Sequence, residues 1–147
     1  MIAFRITRTW RWVLTSMLGL VILHTQTMAK TTHVEPGMEH GTVVALLHAA
    51  QPGDTVLFVA GTYPGAYKLE GLHGSPNKPV VIRGADRKKS IIDGATQPGT
   101  NIQHQAFCLE NCSWIVIEQF TIRKCWTDLI RAENTSYLSL RDCDLYG

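Results

Sequence analysis

The sequence predicts an all-β solenoid, and three observations predict it. The first is a pattern that runs twice through residues 105–145 at a spacing of 23. Phe107 falls over Ile130, Leu109 over Ala132, Glu110 over Glu133, Asn111 over Asn134 and Ser113 over Ser136. At the same offset Trp114 meets Tyr137, Ile115 meets Leu138, Ile117 meets Leu140, Phe120 meets Cys143 and Ile122 meets Leu145. A period in the low twenties, built of short strands with polar turns, suits one coil of a solenoid whose neighbours share a continuous core. The second observation is that the segments upstream read as short β-rich runs separated by Gly, Pro and Asp, without the regular period. The third is a single amphipathic helix ahead of them, placed to cover the first coil.

Taken in order, residues 1–29 read as a signal peptide. Arg5, Arg8 and Arg11 form a cationic start, residues 12–23 an apolar run, and Thr27-Met28-Ala29 a small-residue cleavage site before Lys30. That run is short for a membrane span, which needs roughly 20 apolar residues. Removing the leader's three arginines takes the formal charge from +2 to −1, so the mature chain carries no basic footprint for nucleic acid. Cleavage leaves no membrane segment, and the expected location is secreted or periplasmic. Cys108, Cys112, Cys125 and Cys143 would then sit where disulfides persist, with three pairings open; Cys112 and Cys125, both at turns, are candidates for a bridge.

Residues 30–41 read as an extended lead-in. Over 42–50 the apolar positions Val43, Val44, Leu46, Leu47 and Ala50 share one helical face, with Thr42 as N-cap and Pro52-Gly53 as stop. A strand over 55–59 follows, then a turn over 60–65, a short strand over 67–69, a Gly- and Pro-rich loop over 71–78, strands over 80–82 and 90–94, and a polar excursion over 95–103. The 23-residue coils begin after it. In them alternate residues point inward, so Ile115 and Ile117 stack on Leu138 and Leu140 at about 4.8 Å, the usual distance between strands. The outward row sets Val116 over Ser139 and Glu118 over Arg141, an opposite-charge pair. Asn111 over Asn134 is expected as a hydrogen-bonded turn ladder, and Cys143 as a buried core thiol.

The runs PGDTVLFVAGTYPG (52–65), GLHGSPNKPVVIRGAD (71–86) and IIDG (91–94) resemble the N-terminal coils of exported right-handed parallel β-helix proteins of the pectate-lyase-like superfamily. The resemblance covers 43–147 and is specific for fold. It implies a right-handed parallel β-helix with an N-terminal capping helix and about three to four coils. For function it is broad, spanning polysaccharide lyases of the alginate-lyase and chondroitinase-B kind, pectate lyases, epimerases, glycoside hydrolases and non-catalytic binding or scaffold proteins. The chain is read as the N-terminal portion of such a protein, stopping without a C-terminal cap, and self-association through the open last coil is an expectation.

Cleavage of an acidic polysaccharide by β-elimination needs the uronate carboxylate neutralised by Ca²⁺ or by Arg/Lys, and a base for the adjacent carbon's proton. The candidates for substrate binding are Arg131, beside Asp128, and the group Arg141, Asp142 and Asp144, with Arg123-Lys124 one coil earlier. Asp142 and Asp144 alternate, which on one strand would put both on the same side. Ca²⁺ is expected only in the full-length parent, and no catalytic residue carries over from the resembling enzymes, whose catalytic groups lie on later coils. Arg87-Lys88-Lys89 reads as a solvated turn, and the cysteine spacing does not fit a zinc site.

Overall fold

The computed structural model describes residues 28–96 and 105–147. Nearly all of the leader, and residues 97–104, which include most of the polar excursion, lie outside these. Among the described residues twelve strands wind into a parallel β-helix of about four coils. β1 (Thr31–Val34) and the helix α1 (His40–His48) precede the first coil, which is β2 (Thr55–Phe58), β3 (Gly61–Pro64) and β4 (Tyr67–Glu70). The second is β5 (Val80–Gly84), β6 (Ser90–Asp93) and β7 (Phe107–Glu110); the third is β8 (Ser113–Glu118), β9 (Thr121–Arg123) and β10 (Ile130–Glu133). β11 (Ser136–Arg141) and β12 (Asp144–Tyr146) open the fourth. Every interstrand ladder is parallel, in three sheets ordered β1-β2-β5-β8-β11, β4-β7-β10 and β3-β6-β9-β12.

The 23-residue register holds strand by strand. Ser113 pairs with Ser136, Ile115 with Leu138, Ile117 with Leu140, Phe107 with Ile130 and Ile122 with Leu145. Period-2 alternation explains which residues turn inward. Ile82, Ile115 and Ile117 are fully buried, while Leu140, on a coil covered from one side, remains 44% exposed. Each fully buried side chain of this size contributes about 1.5–3 kcal/mol, so the inward columns hold the coils together. Near the cap the core is aromatic: Phe58 meets Tyr63, Tyr67 and Phe120 edge-on at 5.0–5.8 Å between ring centroids.

Three sequence expectations change. Residues 60–65 were expected as a turn, but Gly61–Pro64 is a strand paired with β6, because each coil needs a third side and Tyr63 can drive it by pointing inward. The lead-in is a paired strand and not merely extended, since β1 runs alongside β2 from Thr31 to Val34. The helix starts at His40, two residues early, with Glu39 as N-cap. Thr42, already inside the first turn, spends its hydroxyl on the Glu39 carboxylate at 3.2 Å. Its buried residues are Val43 and Leu47, and it is tied to the first coil by His40 Nε2 to the Gly65 carbonyl (3.2 Å), His48 Nε2 to the Lys68 carbonyl (3.1 Å), and His40 stacked on Tyr67 at 5.1 Å.

The corners obey a second rule. The residue after the β4, β7 and β10 strands is left-handed in each coil: Gly71 at φ +65°, Asn111 at +52° and Asn134 at +47°. Gly and Asn are the residues that accept this region at least cost. The two asparagines are therefore explained by backbone conformation, not by the expected side-chain ladder.

Two buried tyrosines contrast. The Tyr63 hydroxyl lies 2.9 Å from both the Val34 and Val59 carbonyls, and burial, with Glu35 nearby, pushes its pKa up to about 12. The Tyr67 hydroxyl is buried with no hydrogen-bond partner among the described residues. A buried polar atom without a partner costs stability, so deleting it is neutral or better. Tyr67→Phe should leave the urea midpoint unchanged or higher, and Tyr63→Phe should lower stability by about 1 kcal/mol. A Tyr67→Phe loss as large as that of Tyr63→Phe would show that the buried hydroxyl has a partner.

Candidate functional site

The predicted site residues fall on different faces of the coil. Arg131 stands on β10 over Cys108, as its register requires, but its guanidinium is engaged by Glu133 and not by Asp128. Two coils back in the same column Lys68 bridges to Glu110 at 3.0 Å, a partly exposed pair of little consequence for stability. Arg141 stands on β11, on the long sheet, where its Nε donates to Ser139 Oγ at 3.1 Å. It lies over Glu118 in register, yet the Glu118 carboxylate is taken by Arg83 from the coil on the other side. Asp142 is not on a strand with Asp144: it occupies a left-handed corner at φ +47°, and β12 begins only at Asp144. Both nonetheless approach the 85–88 turn. Arg87 Nε meets Asp144 Oδ2 at 3.3 Å, and Asp142 with Arg87, Lys88 and Gln119 lines a shallow hollow of about 440 Å3. The turn expected to be merely solvated thus carries a cross-coil ion pair, and Thr121 Oγ1 donates to the Arg87 carbonyl at 2.8 Å.

Arg123 and Lys124 are committed elsewhere. Asp93, whose side chain is 3% exposed, accepts from Arg123 Nε at 2.8 Å and lies 3.4 Å from Lys124 Nζ. Burial alone would raise this carboxyl's pKa; the hydrogen bonds from Arg123, the Ala95 amide and Lys124 outweigh it and hold the carboxyl below the ordinary carboxylate range. These cations neutralise an internal charge and do not offer themselves to a substrate.

All four cysteines are free thiols, and burial pushes the pKa of each above its ordinary value, which disfavours the reactive thiolate. Cys143 packs against the core as expected but is only partly buried, because it lies on the outermost coil just after the Asp142 corner; its thiol donates toward the Arg141 carbonyl at 3.2 Å. Among the described residues no three His, Cys, Asp or Glu side chains converge to hold a metal ion.

The feature that sequence reasoning passed over is aromatic. Trp114 and Tyr137, matched in the repeat simply as apolar partners, stack face to face with centroids 3.8 Å apart and planes 10° from parallel. Both are left-handed, at φ +56° and +55°. Ile115 pairs with both Val80 and Leu138, so the preceding positions Pro79, Trp114 and Tyr137 occupy one column along the outside of the long sheet. Pro79 stands at the foot of this column, Pro76 on the loop before it adds a wall, and Val116, Leu138, Ser139 and Arg141 complete a groove of about 260 Å3.

The loop that supplies the wall is pinned to β8. The Gly74 amide donates to the Ser113 carbonyl at 2.8 Å, the Ser113 amide to the Leu72 carbonyl at 3.0 Å, and His73 Nδ1 lies 2.9 Å from Ser113 Oγ. Gly74 is required there: a Cβ would collide with the Trp114 carbonyl and lie 2.7 Å from the Val80 amide. The signal available in sequence was the Trp-over-Tyr match at an outward position, next to Arg141 in the same strand as Tyr137.

No family model and no curated protein matches this sequence. Among solved structures the chain is similar to a mannuronic acid specific polysaccharide family 6 lyase from the human gut microbiota, with a TM-score of 0.51 and 21% identity. The match covers 72% of this chain and 25% of that enzyme, so the chain spans about a quarter of its length. At this identity the likeness shows the fold, a parallel β-helix.

The Asp93 cluster gives a pH dependence with a definite sign. A carboxyl whose folded pKa is depressed adds stability that is present above its unfolded value, about 3.9, and is lost as pH falls through the folded value. Denaturant midpoints should therefore drop in acid below about pH 4, and Asp93→Asn should flatten that drop. An acid limb equally steep in Asp93→Asn would assign the sensitivity to other groups.

Proposed function

We propose that this chain is the N-terminal part of an exported β-helix protein that handles acidic polysaccharide, related to lyase-type carbohydrate-active enzymes. The likeness in fold to a polysaccharide lyase carries this reading. Export rests on the leader pattern of residues 1–29, with Arg5, Arg8 and Arg11 ahead of the apolar run. In β-elimination a base removes the proton next to the uronate carboxylate, the electron pair forms a C=C bond, and the glycosidic oxygen leaves. The chemistry needs a positive group on the carboxylate and a base within reach of the proton.

Arg131, Arg141, Asp142 and Asp144 do not form that constellation, because they stand on three sheets and a corner. Binding without cleavage is therefore the activity expected of this chain alone, and Ca²⁺, if the parent uses it, would be held by residues beyond those described. The second reading, a non-catalytic binding or scaffold β-helix, is favoured by the same dispersal of charged groups.

Affinity electrophoresis of the mature chain in gels containing alginate, pectate or chondroitin sulfate, with dextran as the neutral control, tests the proposal. Retardation by at least one acidic polymer and none by dextran is the expected result. Ultraviolet absorbance of the unsaturated product should stay flat in the same mixtures. Migration unaffected by every acidic polymer would overturn the carbohydrate reading.

A further inference from the structure

Bulky residues seldom take left-handed backbone, since Cβ then crowds the carbonyl at a cost of roughly 1–2 kcal/mol per residue. Gly53, one residue before Asp54 in the first coil, meets the same corner at φ +96° with no side chain at all. Trp114 and Tyr137 meet it with the two largest ring types, turned outward, Tyr137 being 65% exposed. A largely exposed left-handed tyrosine stacked on a half-buried, equally left-handed tryptophan is poorly explained by stability. Such outliers concentrate where a surface is held for a ligand.

The surroundings specify the ligand. A flat aromatic pair suits the C–H face of a pyranose ring, and convergent polar groups at the edge of an apolar groove give orientation. Here Ser139 and Arg141 stand at that edge, on the same strand as Tyr137. Among the described residues no carboxylate forms an ion pair with Arg141, because the Glu118 beneath it is held by Arg83. A guanidinium fork free to accept a carboxylate selects a uronate over a neutral sugar. The proline wall fixes the groove's width, and its loop is pinned through Gly74 and His73 to the strand that carries Trp114.

We infer that the groove between Pro76, Pro79 and the Trp114–Tyr137 stack is a binding subsite for one uronate unit of an acidic polysaccharide, with Tyr137 under the sugar ring and Arg141 on its carboxylate. This rests on the carbohydrate reading above and names the residues and substrate class for it. None of the groups is placed to remove a proton, so the subsite holds the chain and does not cut it.

Three proteins decide the matter: the unaltered mature chain, Arg141→Gln, and Tyr137→Asn, the last chosen because Asn accepts the left-handed corner. Calorimetric titration with oligomannuronate and a thermal melt are measured for each. Arg141→Gln should weaken binding about tenfold or more, the loss of one charge-assisted contact, and should reduce its salt dependence. Tyr137→Asn should weaken binding by about tenfold without lowering Tm. Both variants binding as tightly as the parent would overturn the subsite while leaving the carbohydrate reading intact. An unaltered chain that binds no acidic polymer would overturn both. If Tyr137→Asn lowers Tm, Arg141→Gln, exposed and outside the core, decides alone.

Discussion

Stacking in register is the constraint on which the rest depends. Each strand borrows its hydrogen bonds from the coil above and the coil below, so a residue inherits the backbone of its column. Inward positions in a column are mostly apolar, and where coils repeat at the same length their corner positions share the same turn. Gly71, Asn111 and Asn134 share one corner for this reason. The column also sets the electrostatics: Asp93 can be buried because Arg123 stands on it one coil later, and Glu118 because Arg83 stands beneath it. Neither carboxylate has a charged partner on its own strand, and a carboxylate buried without a partner would be strongly unfavourable.

The end of the helix nearest the cap solves a different problem. A first coil has no predecessor to cover it, and an exposed sheet edge invites pairing with another chain. Here β1 supplies the missing strand for the long sheet, while α1 lays Val43 and Leu47 over the interior and His40 over Tyr67. The interior beneath is aromatic, with Phe58, Tyr63 and Tyr67 spanning a wide first layer that the isoleucine columns then continue.

Much of this was legible in the sequence because the third and fourth coils repeat at a constant offset, and a constant offset gives the register directly. The pairing of Ser113 with Ser136 and of Ile117 with Leu140 required only the alternation of side chains and the 23-residue spacing. Earlier coils differ in length: Val56 pairs with Ile82, 26 residues on, whereas Arg83 pairs with Glu118, 35 residues on. That irregularity is why Glu118 was assigned to Arg141, its visible partner, and not to Arg83. The strand β3 was hidden for a related reason. Gly61 and Pro64 read as turn residues, and only the need of every coil for a third side makes them a strand. Charges at corners were the least legible, because a left-handed residue such as Asp142 breaks the alternation on which the reading of Asp142 and Asp144 as same-side neighbours relied.

The aromatic corner shows where column logic stops being about stability. An aromatic stack is worth about 0.5–1.5 kcal/mol beyond its buried area, while two bulky residues held left-handed cost about 1–2 kcal/mol each. The ring-on-ring contact alone is smaller than that backbone cost, and Asn, as used at the neighbouring corner, would serve the turn at lower cost. Nor does the pair complete the core, which lies on the other side of the sheet with Ile115 and Leu138. What the arrangement does achieve is geometric. Residues one coil apart are held face to face, and Arg141 is left on the same strand as Tyr137 with its in-register carboxylate already occupied. A solenoid repeats its outer surface as faithfully as its core, so the same register that builds the interior also aligns a ring, a wall and a cation on one exposed face.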